Sequence, residues 1–168
     1  MTDEYPPAET IALPAGRFTL DRVAVDVVIP LRHAVLRPGL PVESARWDGD
    51  LDPATRHYAA LDESGEPAAC ATILLNRYRA DAAYQLRGMA VRSDLAGQGL
   101  GSALLRYLEA DLTIRPDSPP PRLIWANARQ IATPFYLSRG YAIASDLFQI
   151  EGVGPHYIIT KSLDRSIV

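Results

Sequence analysis

The sequence predicts a mixed α/β (α+β) domain whose twisted, largely antiparallel sheet of six to seven strands is flanked by about four helices. Three observations carry this. Residues 57–61 and 67–76 flank the turn residues Asp62-Glu63-Ser64-Gly65, the pattern of an antiparallel hairpin. Residues 83–91 read as a further strand and run into Gly97, Gly99 and Gly101, after which Leu100, Leu104, Tyr107, Leu108 and Leu112 share one helical face. The last third holds strands at 122–127, 141–150 and 156–161 with one short helical stretch among them, which departs from the regular alternation of parallel βαβ units.

Taken in order, residues 1–15 carry Pro6, Pro7 and Pro14 with little apolar periodicity, so a loose arm is expected there and one domain over 16–168. Residues 17–21 read as a short first strand. Over 23–36, Val27, Val28, Leu31, Val35 and Leu36 recur at helical spacing, and Pro30 removes one hydrogen bond from that helix. Residues 38–56, with Pro38, Gly39, Pro41, Gly49 and Pro53 around Trp47, form a loop of a length usually tied to function. It is expected to face the substrate. Polar residues 77–82 turn the chain into the strand at 83–91, where Gly88 marks a bulge. Pro116, Pro119, Pro120 and Pro121 make a connector. Thr133 is placed to cap a helix with Pro134 in its first turn, and Gly140 to end it.

Bulk properties narrow the function. The chain has 168 residues, 48% hydrophobic and 22% charged, which is ordinary globular usage. A net charge of -3 and a pI near 5.6 argue against a basic nucleic-acid-binding surface. No apolar run reaches the length of a membrane span. The opening Met1-Thr2-Asp3-Glu4 lacks the positive and apolar regions of a secretory leader. The single cysteine, Cys70, excludes an internal disulfide and a cysteine-rich zinc site, and its apolar setting suits packing better than nucleophilic attack. A soluble cytoplasmic protein without a metal is expected.

A strand, a glycine loop and a helix N-terminus together hold phosphate, because glycine allows close backbone approach and the helix end offers unpaired N–H groups. Two phosphate motifs fail here. A P-loop needs lysine after its last glycine, and Gly101 is followed by Ser102-Ala103. A dinucleotide fingerprint counted from Gly97 needs a third glycine where Ser102 stands.

Residues 96–101, Ala-Gly-Gln-Gly-Leu-Gly, together with 87–91 before them and 102–105 after them, resemble the coenzyme A motif of the GNAT superfamily of N-acetyltransferases. Downstream, Pro134-Phe135-Tyr136-Leu137-Ser138-Arg139-Gly140-Tyr141 resembles that family's F-Y-x-x-x-G-F/Y segment. The resemblance covers about 57–161. Stretches 31–39 and 153–157 are similar to one poorly characterised branch. The resemblance implies a GNAT-like fold and transfer of the acetyl group of acetyl-CoA directly to an amine acceptor, with a small molecule expected first and a peptide N-terminus or a protein lysine left open. It also implies a homodimer as one assembly; the charge and the lack of a long apolar run point to no nucleic acid and no membrane as partner. A non-catalytic acyl-CoA-binding or sensing module is the alternative.

The resemblance assigns the cofactor to backbone groups of Met89, Ala90 and Val91 and to the cradle Gly97, Gln98, Gly99, Leu100, Gly101 and Ser102. The family's first motif position is Arg or Gln; here it is Ala96, so one charge-assisted contact worth about 1.5–3 kcal/mol is missing, with Gln98 or Arg92 near enough to replace it. The family's pantetheine-binding Asn falls at Arg129, with Asn127 two residues earlier. Tyr136 matches the catalytic tyrosine, and a phenol that stays protonated at neutral pH can donate to a departing thiolate. His156, after a Gly-Val-Gly-Pro turn, is the first candidate for general base; His57 and His33 read as packed or surface residues. Glu43, Asp48 and Asp50 would draw an ammonium to the long loop. Arg87 and Trp47 are candidates for the acceptor side.

Overall fold

The computed structural model describes residues 6–114 and 121–163. The readings made on residues 1–5 and on Pro116, Pro119 and Pro120 lie outside the described residues. No described helix is long and apolar enough to cross a membrane. The described residues gather into two compact units, 6–74 with 88–114 and 75–87 with 121–163.

The first unit holds β1 (Glu9–Leu13), β2 (Gly16–Val23), α1 (Val25–Leu36), β3 (Arg56–Leu61), most of β4 (Pro67–Tyr78), the end of β5 (Asp81–Val91) and α2 (Leu100–Ile114). Strands β1 to β4 pair in sequence order and antiparallel. The expected loose arm is corrected over residues 9–13, which form β1 on β2. Tertiary contacts hold this segment down. The Tyr107 hydroxyl donates to Pro6 O at 3.1 Å, and Arg106 on α2 pairs with Glu9 at 2.8 Å.

β3 and β4 are buried at consecutive positions, so both faces of these strands are covered. Register puts Ala59 and Cys70 on one face and Tyr58 and Ala71 on the other. On the first face Cys70 packs with Val28 and Leu31 of α1. On the second, the rings of Tyr58 and Tyr107 of α2 meet edge-on at 6.3 Å. The small side chains of Ala59, Ala60, Ala68, Ala69 and Ala71, all fully buried, let the two helices approach. Helix α1 keeps Pro30 on its exposed side, where the lost amide costs least.

The second unit orders its strands β5-β6-β9-β7, from β6 (Leu123–Arg129), β7 (Ala142–Ile143) and β9 (Gly154–Ser162), with β8 (Phe148–Ile150) also on β9. β4 and β5 are joined by the two-residue turn Arg79-Ala80, tighter than the expected 77–82, with Arg79 at φ 56°. β5 and β6 are parallel and registered at Tyr84↔Ile124 and Gln85↔Trp125. β6 and β9 pair antiparallel from Leu123↔Ser162 to Arg129↔His156. One face buries Tyr84, Ile124, Ala126, Ala128 and Ile159. The other carries Trp125, whose ring lies 5.9 Å from that of Tyr78.

Expected strand 141–150 is divided into β7 and β8. Ser145 breaks it: its Oγ accepts the Ile158 amide at 2.8 Å, taking a backbone donor from the ladder. Among the described residues there are nine strands and three α-helices, against six to seven and about four expected. The two beyond the seven read from the sequence are the short β1 and one produced by the division of 141–150 into β7 and β8. The long loop folds a 3-10 turn, Val42–Ala45.

Candidate active site

In the first unit, β5 leads into the glycine loop. The Arg92 amide donates to Ala68 O of β4 at 2.8 Å. Alternation along the strand then turns the amides of Val91 and Met89 to the opposite edge. The Ala90 amide is directed at the Cys70 sulphur instead. A 3-10 turn, Ser93–Leu95, follows, anchored by the buried side chain of Leu95. Gly97 and Gly99 then adopt φ 74° and 90°, a region that L side chains rarely enter.

Helix α2 opens at Leu100, and its first closing bond runs from Ala103 N to Gly99 O at 3.0 Å. The amides of Leu100, Gly101 and Ser102 therefore lie outside the helix's own bonding. Leu100 is buried and fixes the helix end, while Gly97, Gln98 and Gly99 are exposed. The result is a row of backbone donors at the positive end of a 15-residue helix, preceded by an exposed glycine loop. These residues fit a diphosphate.

Ala96 is exposed and extended, with φ -60° and ψ 141°. Arg92 is committed elsewhere: Nε bonds Asp94 at 2.8 Å and Nη1 bonds Asp62 at 3.0 Å. Gln98 Nε2 donates to Asp94 O at 3.3 Å.

In the second unit, Tyr136 sits in α3 (Thr133–Leu137), buried against Phe135 at 5.1 Å and Tyr141 at 5.4 Å, both edge-on. Burial pushes its hydroxyl pKa well above the ordinary phenol value, so the group keeps its proton. Thr133 does not cap this helix: Ala132 holds the cap position, and the Thr133 hydroxyl donates to Arg129 O at 3.1 Å. Gly140 at φ 89° ends the turn as expected.

Asn127 is exposed on β6, and Arg129 closes that strand directly opposite His156 in register, so their side chains leave the same face. Phe148 of β8 lies opposite His156 on the other side, its ring 6.0 Å from the imidazole. His156 Nδ1 is 2.8 Å from Gly154 O. A carbonyl only accepts, so Nδ1 carries hydrogen and Nε2 of the neutral ring holds the lone pair.

The long loop contains a buried network that the sequence reading did not assign. Arg32 of α1 is fully buried. Its Nη1 donates to Ala45 O at 2.8 Å and Asp50 Oδ2 at 2.7 Å, and its Nη2 donates to Thr72 Oγ1 at 2.7 Å. The Trp47 ring covers the guanidinium at 4.2 Å. His57 Nε2 donates to Asp50 O at 2.9 Å, and its Nδ1 is 2.8 Å from Thr72 Oγ1. With Nε2 protonated and both ring nitrogens engaged, His57 has no lone pair to offer a substrate.

Asp50 is thus a buried partner of Arg32 and not an exposed lure for an ammonium, whereas Glu43 and Asp48 are exposed. Arg32 could have been found from its spacing, since it lies on the apolar stripe of Val28, Leu31 and Val35. Cys70 is buried, and desolvation raises its thiol pKa to about 12, which removes it as a nucleophile at neutral pH. Among the described residues no group of three His, Cys, Asp or Glu side chains could hold a metal.

Comparison with known proteins gives the following. The pattern described as "Acetyltransferase (GNAT) domain" matches residues 53–143. The "Uncharacterized N-acetyltransferase YitI" of Bacillus subtilis (strain 168) is 27% identical over 150 residues, covering 86% of this chain and 95% of that one. The crystal structure of Escherichia coli ElaA superposes with a TM-score of 0.68 at 21% identity, covering 86% of this chain and 99% of its own. An aminoglycoside 6'-N-acetyltransferase complexed with coenzyme A gives 0.67 at 15%, covering 89% and 99%. The ribosomal-protein-S18-alanine N-acetyltransferase from Escherichia coli gives 0.67 at 18%, covering 89% and 96%.

Proposed function

Because the chain belongs to the GNAT acetyltransferase family, we propose that it transfers the acetyl group of acetyl-CoA directly to the amine of a small-molecule acceptor in the cytoplasm. The observation that carries this reading is the run of backbone donors from Gly97 to Ser102, exposed at Gly97, Gln98 and Gly99, fed by a strand whose Met89 and Val91 amides face away from β4. The loop and helix end take the diphosphate, and the two strand amides take the amide-bearing arm and the acetyl oxygen. Ala90 shapes the strand. Asn127 and Arg129 are the cofactor contacts assigned to the second unit.

Transfer forms a C–N bond and breaks a C–S bond. The Met89 N–H donates to the acetyl oxygen as charge gathers there. His156 receives the amine proton on Nε2, the nitrogen left free by the bond from Nδ1 to Gly154 O. Tyr136 donates its hydroxyl proton to the departing sulphur, and burial keeps the hydroxyl protonated at neutral pH. Glu43 and Asp48, exposed on the long loop, favour an acceptor that arrives as an ammonium ion.

Ala96 and the engaged Arg92 favour a second reading, an acyl-CoA-binding module without turnover. Calorimetry with acetyl-CoA followed by thiol release on an amine panel separates the two. Binding with release supports the enzyme. Binding without release on any amine supports the module. Absence of binding at millimolar ligand removes both.

A further inference from the structure

Three segments of the first unit converge on one guanidinium. Arg32 holds the loop through Ala45 O and Asp50, holds β4 through Thr72, and lies under Trp47. Its Nε is buried and has no hydrogen-bond partner among the described residues. That atom sits against Gly88, the residue at which β5 leaves its regular pleat with φ 63°. A Cβ at Gly88 would lie 2.9 Å from Arg32 Nε, closer than real Cβ contacts come, and 3.0 Å from the Trp47 ring, tighter than nearly all of them. Arg32 and Trp47 therefore fill the space under the bulge, and the glycine is required by both conformation and room.

Stability does not account for this arrangement. Desolvating a guanidinium and a carboxylate costs several kcal/mol each, and their attraction does little more than offset that. An apolar side chain of similar length would also avoid the orphaned Nε. What the ion pair adds is directional: a planar fork with fixed bond directions locks its neighbours in place. The fork's bonds to Ala45, Asp50 and Thr72 fix the guanidinium, and the guanidinium so fixed packs against Gly88, the residue immediately before Met89. We propose that Arg32 is a positioning residue for acetyl transfer, holding Gly88 and Trp47 so that the Met89 amide stays aimed at the acetyl oxygen. This rests on the acetyl-transfer reading above. Among the described residues the hydrogen bonds of Arg32 go to Ala45, Asp50 and Thr72 and not to the glycine cradle at 97–102, so cofactor affinity and carbonyl polarisation should separate.

The test uses the full chain, acetyl-CoA labelled with 13C at the acetyl carbonyl, and the variants Arg32→Met, Arg32→Lys, Thr72→Val and Gly88→Ala. In the wild type the bound carbonyl resonance is expected to move downfield of free acetyl-CoA. Arg32→Met should lose at least half of that displacement while binding acetyl-CoA with a Kd within about three-fold of wild type, and kcat should fall roughly 100-fold, as expected for a misplaced reacting group. Arg32→Lys keeps the charge without the fork and should recover only a minor part. Gly88→Ala should reproduce the Arg32→Met spectrum. Thr72→Val removes two bonds from the network, those of Thr72 Oγ1 with Arg32 Nη2 and with His57 Nδ1; should Arg32→Met fail to fold, a reduced displacement in Thr72→Val at unchanged Kd carries the same meaning. An unchanged carbonyl resonance in a folded Arg32→Met or in Thr72→Val overturns the proposal. Parallel losses of thermal stability, cofactor affinity and rate also overturn it, because they mark a merely structural residue. Absence of acetyl-CoA binding by the wild type sinks the acetyl-transfer reading itself.

Discussion

Arg22 grips Asp111 with two parallel hydrogen bonds, Nε to Oδ2 at 3.0 Å and Nη2 to Oδ1 at 2.9 Å. The Tyr58 hydroxyl donates to the same carboxylate, and the Asp111 side chain is wholly buried. One acid on α2 thereby fixes β2 and β3 against the helix that opens at the glycine cradle.

Asp111→Ala removes the carboxylate that the Arg22 guanidinium and the buried Tyr58 phenol share. The expected loss of unfolding free energy is about 3–5 kcal/mol, the usual cost of breaking a buried pair from one side. Asp111→Asn keeps one oxygen acceptor and should lose less. Urea unfolding followed by circular dichroism reads both. A loss below about 1 kcal/mol for Asp111→Ala would mean that solvent compensates the pair, as it does for exposed ones.

Cys70 offers a pH test of burial. Desolvation raises its thiol pKa from 9.0 to about 12 in the folded chain. The folded state therefore holds its proton where the unfolded state has released it. The contribution to stability is complete below pH 9 and is lost as pH rises from there towards 12, with a limiting slope of about 1.4 kcal/mol per pH unit. Urea midpoints of wild type should fall more steeply between pH 8.5 and pH 10.5 than those of Cys70→Ala. Alkylation of the native thiol at pH 8 should be slow, and rapid labelling would contradict the burial argument.

Local patterns were legible in the sequence and distant ones were not. The hairpin β3–β4 and the sequence β5, glycine loop, α2 show in the spacing of apolar residues and glycines, because short-range backbone preferences decide them. Strand β1 is different. Its five residues gain their conformation from pairing with β2 and from Tyr107 and Arg106, about a hundred positions away. The Arg32 network is also assembled at a distance, from Ala45, Asp50 and Thr72, which lie 13, 18 and 40 residues along the chain. Asp50 reads as a solvated loop acid until its partner is placed. His156 was legible as a histidine after a flexible turn, but its free nitrogen is fixed only by Gly154 O.

Tyr136 is expected to act as an acid throughout the working range. Burial raises its pKa, so no limb of the rate profile below pH 10 should belong to it. Tyr136→Phe keeps the ring and its edge-on contacts with Phe135 and Tyr141, and should lower kcat by roughly 10²–10⁴-fold with little change in acetyl-CoA affinity. An acidic limb that survives Tyr136→Phe and disappears in His156→Gln would assign the base to His156. Stopped-flow thiol release across pH 6 to 10 reads both variants, and an unchanged rate in Tyr136→Phe removes the acid role.

Ala96 sets the strength of the cradle. Its backbone is extended and its methyl exposed, so a longer side chain can be introduced without strain. Arg92 is held by Asp62 and Asp94 and does not replace the missing cation. Ala96→Arg should therefore tighten coenzyme A binding, by about 1.5–3 kcal/mol if the new charge-assisted bond forms in full. Gly99→Ala tests the other half of the cradle. Its φ of 90° penalises a Cβ by roughly 1–2 kcal/mol, so affinity should weaken about ten-fold. Calorimetry with coenzyme A and with 3'-dephospho-coenzyme A checks that both changes act at the diphosphate, since the two ligands should respond alike. If Ala96→Arg tightens neither ligand while Gly99→Ala weakens both, backbone donors alone make the site, and the arginine of the family motif is dispensable in this chain.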